Sequence, residues 1–275
     1  MEFETEIKSL LGTLEEQNIN LALELIKSQG FDVEYFLKPY RMILSVPDDF
    51  KITADWLSEE KYHITLNLSA GNLEEIPSEI GNMVHLSTLW LGSNRLKDLP
   101  KSLLNLPNLT GLNLSFNLFT EIPDFIWTMK NLNSLSLHGN NLGKIPDKIG
   151  FLTNLESLSL RGCNLNTIPK SISKLKKLSR LDLGENNLKH LPDEICELNN
   201  LCVLDLDFTH LIHLPEGIGN CSALKNLDLS NNRFLEKLPD SFESLKKLET
   251  VNVSQCQRLD LKNLVERMSW TEFYV

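Results

Sequence analysis

The chain has 275 residues, 41% of them hydrophobic and 23% charged, and a formal net charge of −10. This is the composition of a folded, soluble protein, and no apolar run approaches the roughly 18 residues that a membrane helix needs. The negative balance speaks against non-specific nucleic-acid binding and against anionic membranes, which both require positive surface, and favours a partner with a basic or neutral surface.

The length is large for one core, so either two domains or an extended repeat architecture is expected. The opening segment, MEFETEIKSLLGTLEEQ, has no basic start followed by an apolar stretch, so it predicts no secretory signal, and a signal-independent export route stays open. Residues 1–62 form a region of their own. Phe3, Ile7, Leu10, Leu11 and Leu14 fall at helical spacing, and NINLALELIKSQG carries Ile19, Leu23 and Ile26 ahead of Gly30, a C-capping residue. A helical N-terminal cap over the apolar end of the adjoining segment is expected, with an independent partner-binding helical domain as the alternative.

From residue 63 one phrase recurs, as in HLSTLWLGSNRLKDLP, NLTGLNLSFNLFTEIP, NLNSLSLHGNNLGKIP, NLESLSLRGCNLNTIP and KLSRLDLGENNLKHLP. Counting the first apolar slot as position 1, repeats start at 63, 86, 109, 132, 155, 178, 201, 224 and 248, seven spacings of 23 followed by one of 24. Positions 4 and 6 are apolar between polar neighbours, the period of a short strand with one buried face. Asn at position 9 (Asn94, Asn117, Asn140, Asn186, Asn232) can bond backbone groups that the turn takes from water. Proline then opens a helix-like turn with apolar residues three apart, such as Pro146, Ile149 and Leu152. No repeat can bury these faces alone, so neighbours must stack. Nine strands at about 4.8 Å give a sheet roughly 40 Å long. After Val253 the phrase is lost, and residues 259–275 are expected to form a C-terminal cap to a solenoid spanning 63–258.

The phrase LxxLxLxxNxLxxLP resembles the leucine-rich repeat family, specifically its 23-residue type. The resemblance implies an α/β fold: a right-handed solenoid with a curved parallel β-sheet on its concave face and short helical turns on its convex face. It further implies a protein-binding surface at positions 2, 3, 5, 7 and 8. The LPxxIxxLxxL cadence is similar to intracellular Ras-binding scaffold-type members and to bacterial ones.

Several residues stand out on that face. Asp205 and Asp207 lie two apart on one strand, but Asp182 and Asp228 occupy the slot of Asp205 in the flanking repeats, so Asp205 follows the repeat while Asp207, in a column of Ser, Gly, His and Arg, departs from it. With Glu185 and Phe208 they form an acidic patch with an aromatic anchor. Trp90 at position 5 and Phe116 at position 8, with Leu118 near the rim, form a second candidate contact. Between them stand His138, Arg161 and Arg180, the two arginines placed to pair with Asp182 and Glu156.

An open sheet provides neither the desolvation nor the pocket that general acid–base chemistry needs, and there is no P-loop, HExxH or GxSxG, so no catalytic, metal or cofactor residue is expected. The cysteines, Cys163, Cys196, Cys202, Cys221 and Cys256, are odd in number and lack CxxC spacing, which suits a reducing compartment. The expectation is a cytoplasmic, non-enzymatic scaffold, adaptor or regulator that binds a protein partner, with a monomer favoured. The alternative is a secreted bacterial effector or adhesin recognising a host protein or glycan.

Overall fold

Each repeat begins with three to five residues of strand, because leucines at positions 4 and 6 point to one side and find the same pair in the next repeat. The computed structural model describes residues 64–84, 86–261 and 264–275. The helical region expected over residues 1–62 lies outside them. Contacts divide the chain into two compact units, Met1–Asn113 and Leu114–Val275.

In the first unit β1 (Ile64–Asn67), β2 (Leu86–Trp90) and β3 (Gly111–Asn113) pair in parallel in chain order. In the second, β4 (Ser134–Ser136), β5 (Ser157–Ser159), β6 (Arg180–Asp182), β7 (Val203–Asp205), β8 (Asn226–Asp228) and β9 (Thr250–Asn252) continue the pattern. The register is that of the repeat: Leu158 faces Leu181, Leu181 faces Leu204 and Leu204 faces Leu227. The strand leucines are buried, as are those that follow them, such as Leu165, Leu188 and Leu211. Most of the return segments are single 3-10 turns opened by proline, whose fixed φ suits the cap position, as at Pro146 before Asp147–Phe151 and Pro192 before Asp193–Glu197. The turns pack tightly: a Cβ added at Gly150 would lie 2.8 Å from the Ser171 carbonyl oxygen, so glycine is required by that approach.

The C-terminal segment adds a strand to the sheet. A short helix, α1 (Leu264–Arg267), is followed by β10 (Glu272–Tyr274), which pairs in parallel with β9 and gives the Val253 amide a carbonyl acceptor on Tyr274 at 2.7 Å. A strand edge that would otherwise be open is thereby covered.

The position-9 asparagines join successive repeats. Asn186 donates to the carbonyls of Leu160, Leu183 and Gly184 at 2.8, 2.8 and 3.0 Å and accepts from the amides of Cys163 and Leu165. Asn232 repeats this two rows on, towards Leu206, Leu229, Ser230 and Leu211. Where the slot holds another residue, a smaller group serves: the Thr209 hydroxyl lies 2.9 Å from the Leu206 carbonyl, and the thiols of Cys163 and Cys256 meet the carbonyls of Leu137 and Leu229. Cys221 is fully buried. Replacing Asn186 with Ala strands several buried backbone groups, and unfolding in urea should show a loss of about 3 kcal/mol. A loss below about 1 kcal/mol would mean that these bonds are dispensable.

Candidate functional site

The open face of the sheet presents positions 3, 5 and 7, and the chain leaves each strand through position 8. That residue has positive φ in every described repeat: Ala70, Ser93, Phe116, Gly139, Gly162, Glu185, Phe208, Asn231 and Gln255 all lie between 49° and 69°. Left-handed backbone suits Gly and Asn and costs other residues about 1–2 kcal/mol. Gly139, Gly162 and Asn231 fit the requirement, whereas Phe116 and Phe208 do not. Both rings are nevertheless solvent-facing, 53% and 55% exposed, so core packing does not account for either.

In the first unit the candidate residue is Trp90, on β2 between Asn67 and Asn113 in register and 45% exposed. The other candidates all belong to the second unit. Phe116 lies 4.4 Å from the His138 ring, centroid to centroid, and over Gly139, where an added Cβ would meet its Cδ1 at 2.6 Å. Gly139 therefore answers two needs, the backbone angle and the seat for the ring.

Arg161 is the hub of the polar part. Its guanidinium grips Asp207 through two bonds of 2.6 Å, reaches Glu185 Oε1 at 2.9 Å, and has Asp182 Oδ1 at 3.7 Å. The hydrogen bond to Asp207 leads the causes that hold Arg161 still more firmly protonated than usual. The expected pairing with Asp182 is present as the longest of these contacts, while the tightest joins Arg161 to a carboxylate two repeats away. Column 7 explains it: Arg161, Gly184 and Asp207 are successive members, and the side chain that Gly184 lacks leaves the channel the guanidinium occupies. Asp207 is consequently buried and neutralised, and the acidic character of the face comes from elsewhere.

It comes from position 5, where Asp182, Asp205 and Asp228 stand side by side on β6, β7 and β8. Asp182 accepts from the Ser159 hydroxyl and the Gly184 amide, and Asp228 from the Ser230 amide and the Asn252 carboxamide. The carboxylate of Asp205 has no hydrogen-bond donor among the described residues, its carbonyl alone accepting from the Leu183 amide. Desolvation first, then the charge of Asp182, pushes its pKa up to about 6, with Arg180 acting in the opposite sense. Arg180 itself, at position 3 of the same strand as Asp182, makes no ion pair among the described residues and is exposed.

The same geometry bears on chemistry. Burial pushes the thiols of Cys163 and Cys221 up to about 12 and that of Cys196 to about 11, so all three are protonated and unsuited to nucleophilic attack. Among the described residues, no three His, Cys, Asp or Glu side chains converge closely enough to hold a metal ion. Column reasoning found the exposed aromatics and the acidic row, but it missed the backbone angle at position 8, whose Gly and Asn members were the available signal.

Known proteins share this architecture. The Leucine rich repeat family model matches residues 84–142, 107–165 and 153–211, and a second Leucine Rich Repeat model matches 223–245. A leucine-rich repeat protein of Leptospira interrogans is similar in structure with a TM-score of 0.65 and 28% identity, over 82% of this chain and 69% of that one. The leucine-rich repeat ectodomain of the plant membrane receptor kinase GASSHO1/SCHENGEN3 from Arabidopsis thaliana, solved in complex with Casparian strip integrity factor 2, matches with a TM-score of 0.56 and 28% identity, over 72% of this chain and 28% of the receptor chain. No curated protein matches the chain. Repeat phrase, buried asparagines, parallel strands and family models agree: the chain belongs to the leucine-rich repeat family.

Proposed function

We propose that this protein is a non-enzymatic interaction module, a scaffold, adaptor or regulator, which holds a protein partner of basic or neutral surface on the open face of its sheet. The observation that carries the reading is the pair Phe116 and Phe208: large aromatic side chains kept in left-handed backbone and left exposed. The repeat turn imposes this angle at every described position 8, so an exposed aromatic kept there in place of Gly or Asn points to use. Stacked repeats commonly serve as protein-binding surfaces, and the Arabidopsis relative was solved with a bound factor.

The polar floor suits the same role. Arg161, Asp207 and Glu185 lock one another in place, so little side-chain entropy remains to be lost on binding. Asp182, Asp205 and Asp228 supply negative potential for a cationic partner. The protonated thiols and the open face support a non-enzymatic role. Five free cysteines favour a reducing, cytoplasmic setting.

Partner capture from a lysate of the source organism tests this, using the full chain and its Trp90→Ala and Phe116→Ala variants. A protein retained by the wild type and lost by Phe116→Ala, with the thermal midpoint unchanged, is expected; identical partner sets would remove these residues from the site.

The acidic row gives a second test, through stability. Folding raises the Asp205 pKa to about 6, so the native state prefers the protonated acid. Its ionised form costs nothing below the ordinary carboxylate range, and the penalty grows as pH rises through about 6 and is complete above it. Because the group is partly solvated, the penalty is held to about 1 kcal/mol. Asp205→Asn should therefore raise the thermal midpoint by roughly 2–4 °C at pH 8 and leave it unchanged at pH 4. An equal shift at both pH values would rule out the charge as its origin.

A further inference from the structure

The repeat that starts at Leu224 is the one of 24 residues. In the others the core residue follows the buried Asn by two, as Leu188 follows Asn186. After Asn232 that place falls to Phe234, yet Leu235 is the residue buried, and Phe234 is turned out with 45% of its surface exposed. The extra residue has been absorbed by expelling an aromatic ring.

That ring builds a groove on the flank of the second unit, beyond the ends of the strands. A cavity of about 490 Å³ is lined by Lys189, His210, Ile212, Phe234, Glu236 and Arg258. A second, of about 350 Å³, shares His210 and Phe234 with it and is bounded by Phe208 and Arg233. Beneath runs a ladder of backbone bonds, Ile212 N–H to Lys189, Glu236 N–H to Ile212 and Asp260 N–H to Glu236, which sets the spacing of the lining residues. Arg258 lies 5.4 Å above the Phe234 ring, and its acidic neighbour Glu236 is 3.8 Å away with both side chains more than half exposed. Lys189 and Arg233 have no carboxylate within ion-pair distance among the described residues. Three cations against one lining carboxylate make a locally positive, aromatic-walled groove on a chain whose net charge is −10.

We infer that this flank is a second binding surface, which takes an extended acidic peptide segment carrying apolar side chains. Its carboxylates meet Lys189, Arg233 and Arg258, and an apolar side chain lies between Phe234 and Ile212. The charge preference is opposite to that of the sheet face, so the two surfaces can hold different partners, with Phe208 bordering both. A polynucleotide fits less well, because the remaining surface of the chain repels a long polyanion.

Fluorescence anisotropy with the full chain tests the proposal, the probe being a short fluorescein-labelled peptide that alternates Glu with Phe and Leu. Saturable binding with Kd of roughly 1–100 μM is expected, weakened about tenfold or more by Phe234→Ala and by Arg258→Glu. Phe116→Ala, on the sheet face, should leave it unchanged, which separates this surface from the proposed partner site. Phe234 is exposed, so an unaltered thermal midpoint accompanies the loss. The proposal is overturned by an absence of saturation, by equal affinity for the peptide with Gln in place of Glu, by equal affinity for single-stranded RNA, or by sensitivity to Phe116→Ala rather than Phe234→Ala.

Discussion

A buried carboxamide, present in five of the nine repeats and replaced by a smaller hydrogen-bonding group in three others, governs much of this structure. A turn that leaves the strand at position 8 strands several carbonyls and amides away from water, and each must find a partner. Asn at position 9 meets donors and acceptors of its own repeat and of the one before it, as Asn186 and Asn232 show. The bond network requires neighbouring repeats to stand in the same register, which is why leucine faces leucine from row to row. Apolar burial supplies the driving force, and the carboxamides select the period.

A fixed register turns columns of sequence into rows of neighbours. Adjacent strands lie about 4.8 Å apart, so residues of one column two repeats away are about 10 Å apart. Arginine and aspartate can join across that distance only if nothing stands between, and Gly184 meets the condition for Arg161 and Asp207. The same stacking crowds Asp182, Asp205 and Asp228, with the consequence seen in the raised pKa of Asp205. Neither arrangement serves packing, since the core lies on the other side of the strands. They shape a surface of fixed charges, neutral at Arg161 and Asp207 and acidic beside them.

Much of this was legible in the sequence, because a solenoid is one supersecondary unit repeated and its rules are local. The leucine columns, the inward asparagines, the proline-opened turns and the exposed positions of Trp90, Phe116 and Phe208 come from period and polarity alone. What was not legible depends on backbone angle or on reach. Nothing in the identity of Phe208 announces a φ of 49°; only its column, with Gly139, Gly162 and Asn231, carries that information. The long reach from Arg161 to Asp207 needed the gap at Gly184 to be read as space rather than as a turn residue. The spacing of 24 was visible, but not that Phe234 rather than Leu235 would be expelled. β10 was hidden because Glu272–Tyr274 has no repeat phrase and is held by the open edge of β9.

Fold and candidate function thus separate by residue. Leucine and asparagine columns answer to core packing and hydrogen bonding, while the aromatic residues at position 8 lie outside the core and carry a conformational cost. Centrally, the proposed function requires Phe208 to be retained for contact and not for stability. The thermal and urea stability of Phe208→Gly measures this directly, since glycine relieves the left-handed backbone. A variant as stable as the wild type, or more stable by up to about 1 kcal/mol, is the predicted result; a loss of about 1 kcal/mol or more would show that the ring supports the fold and would contradict that role.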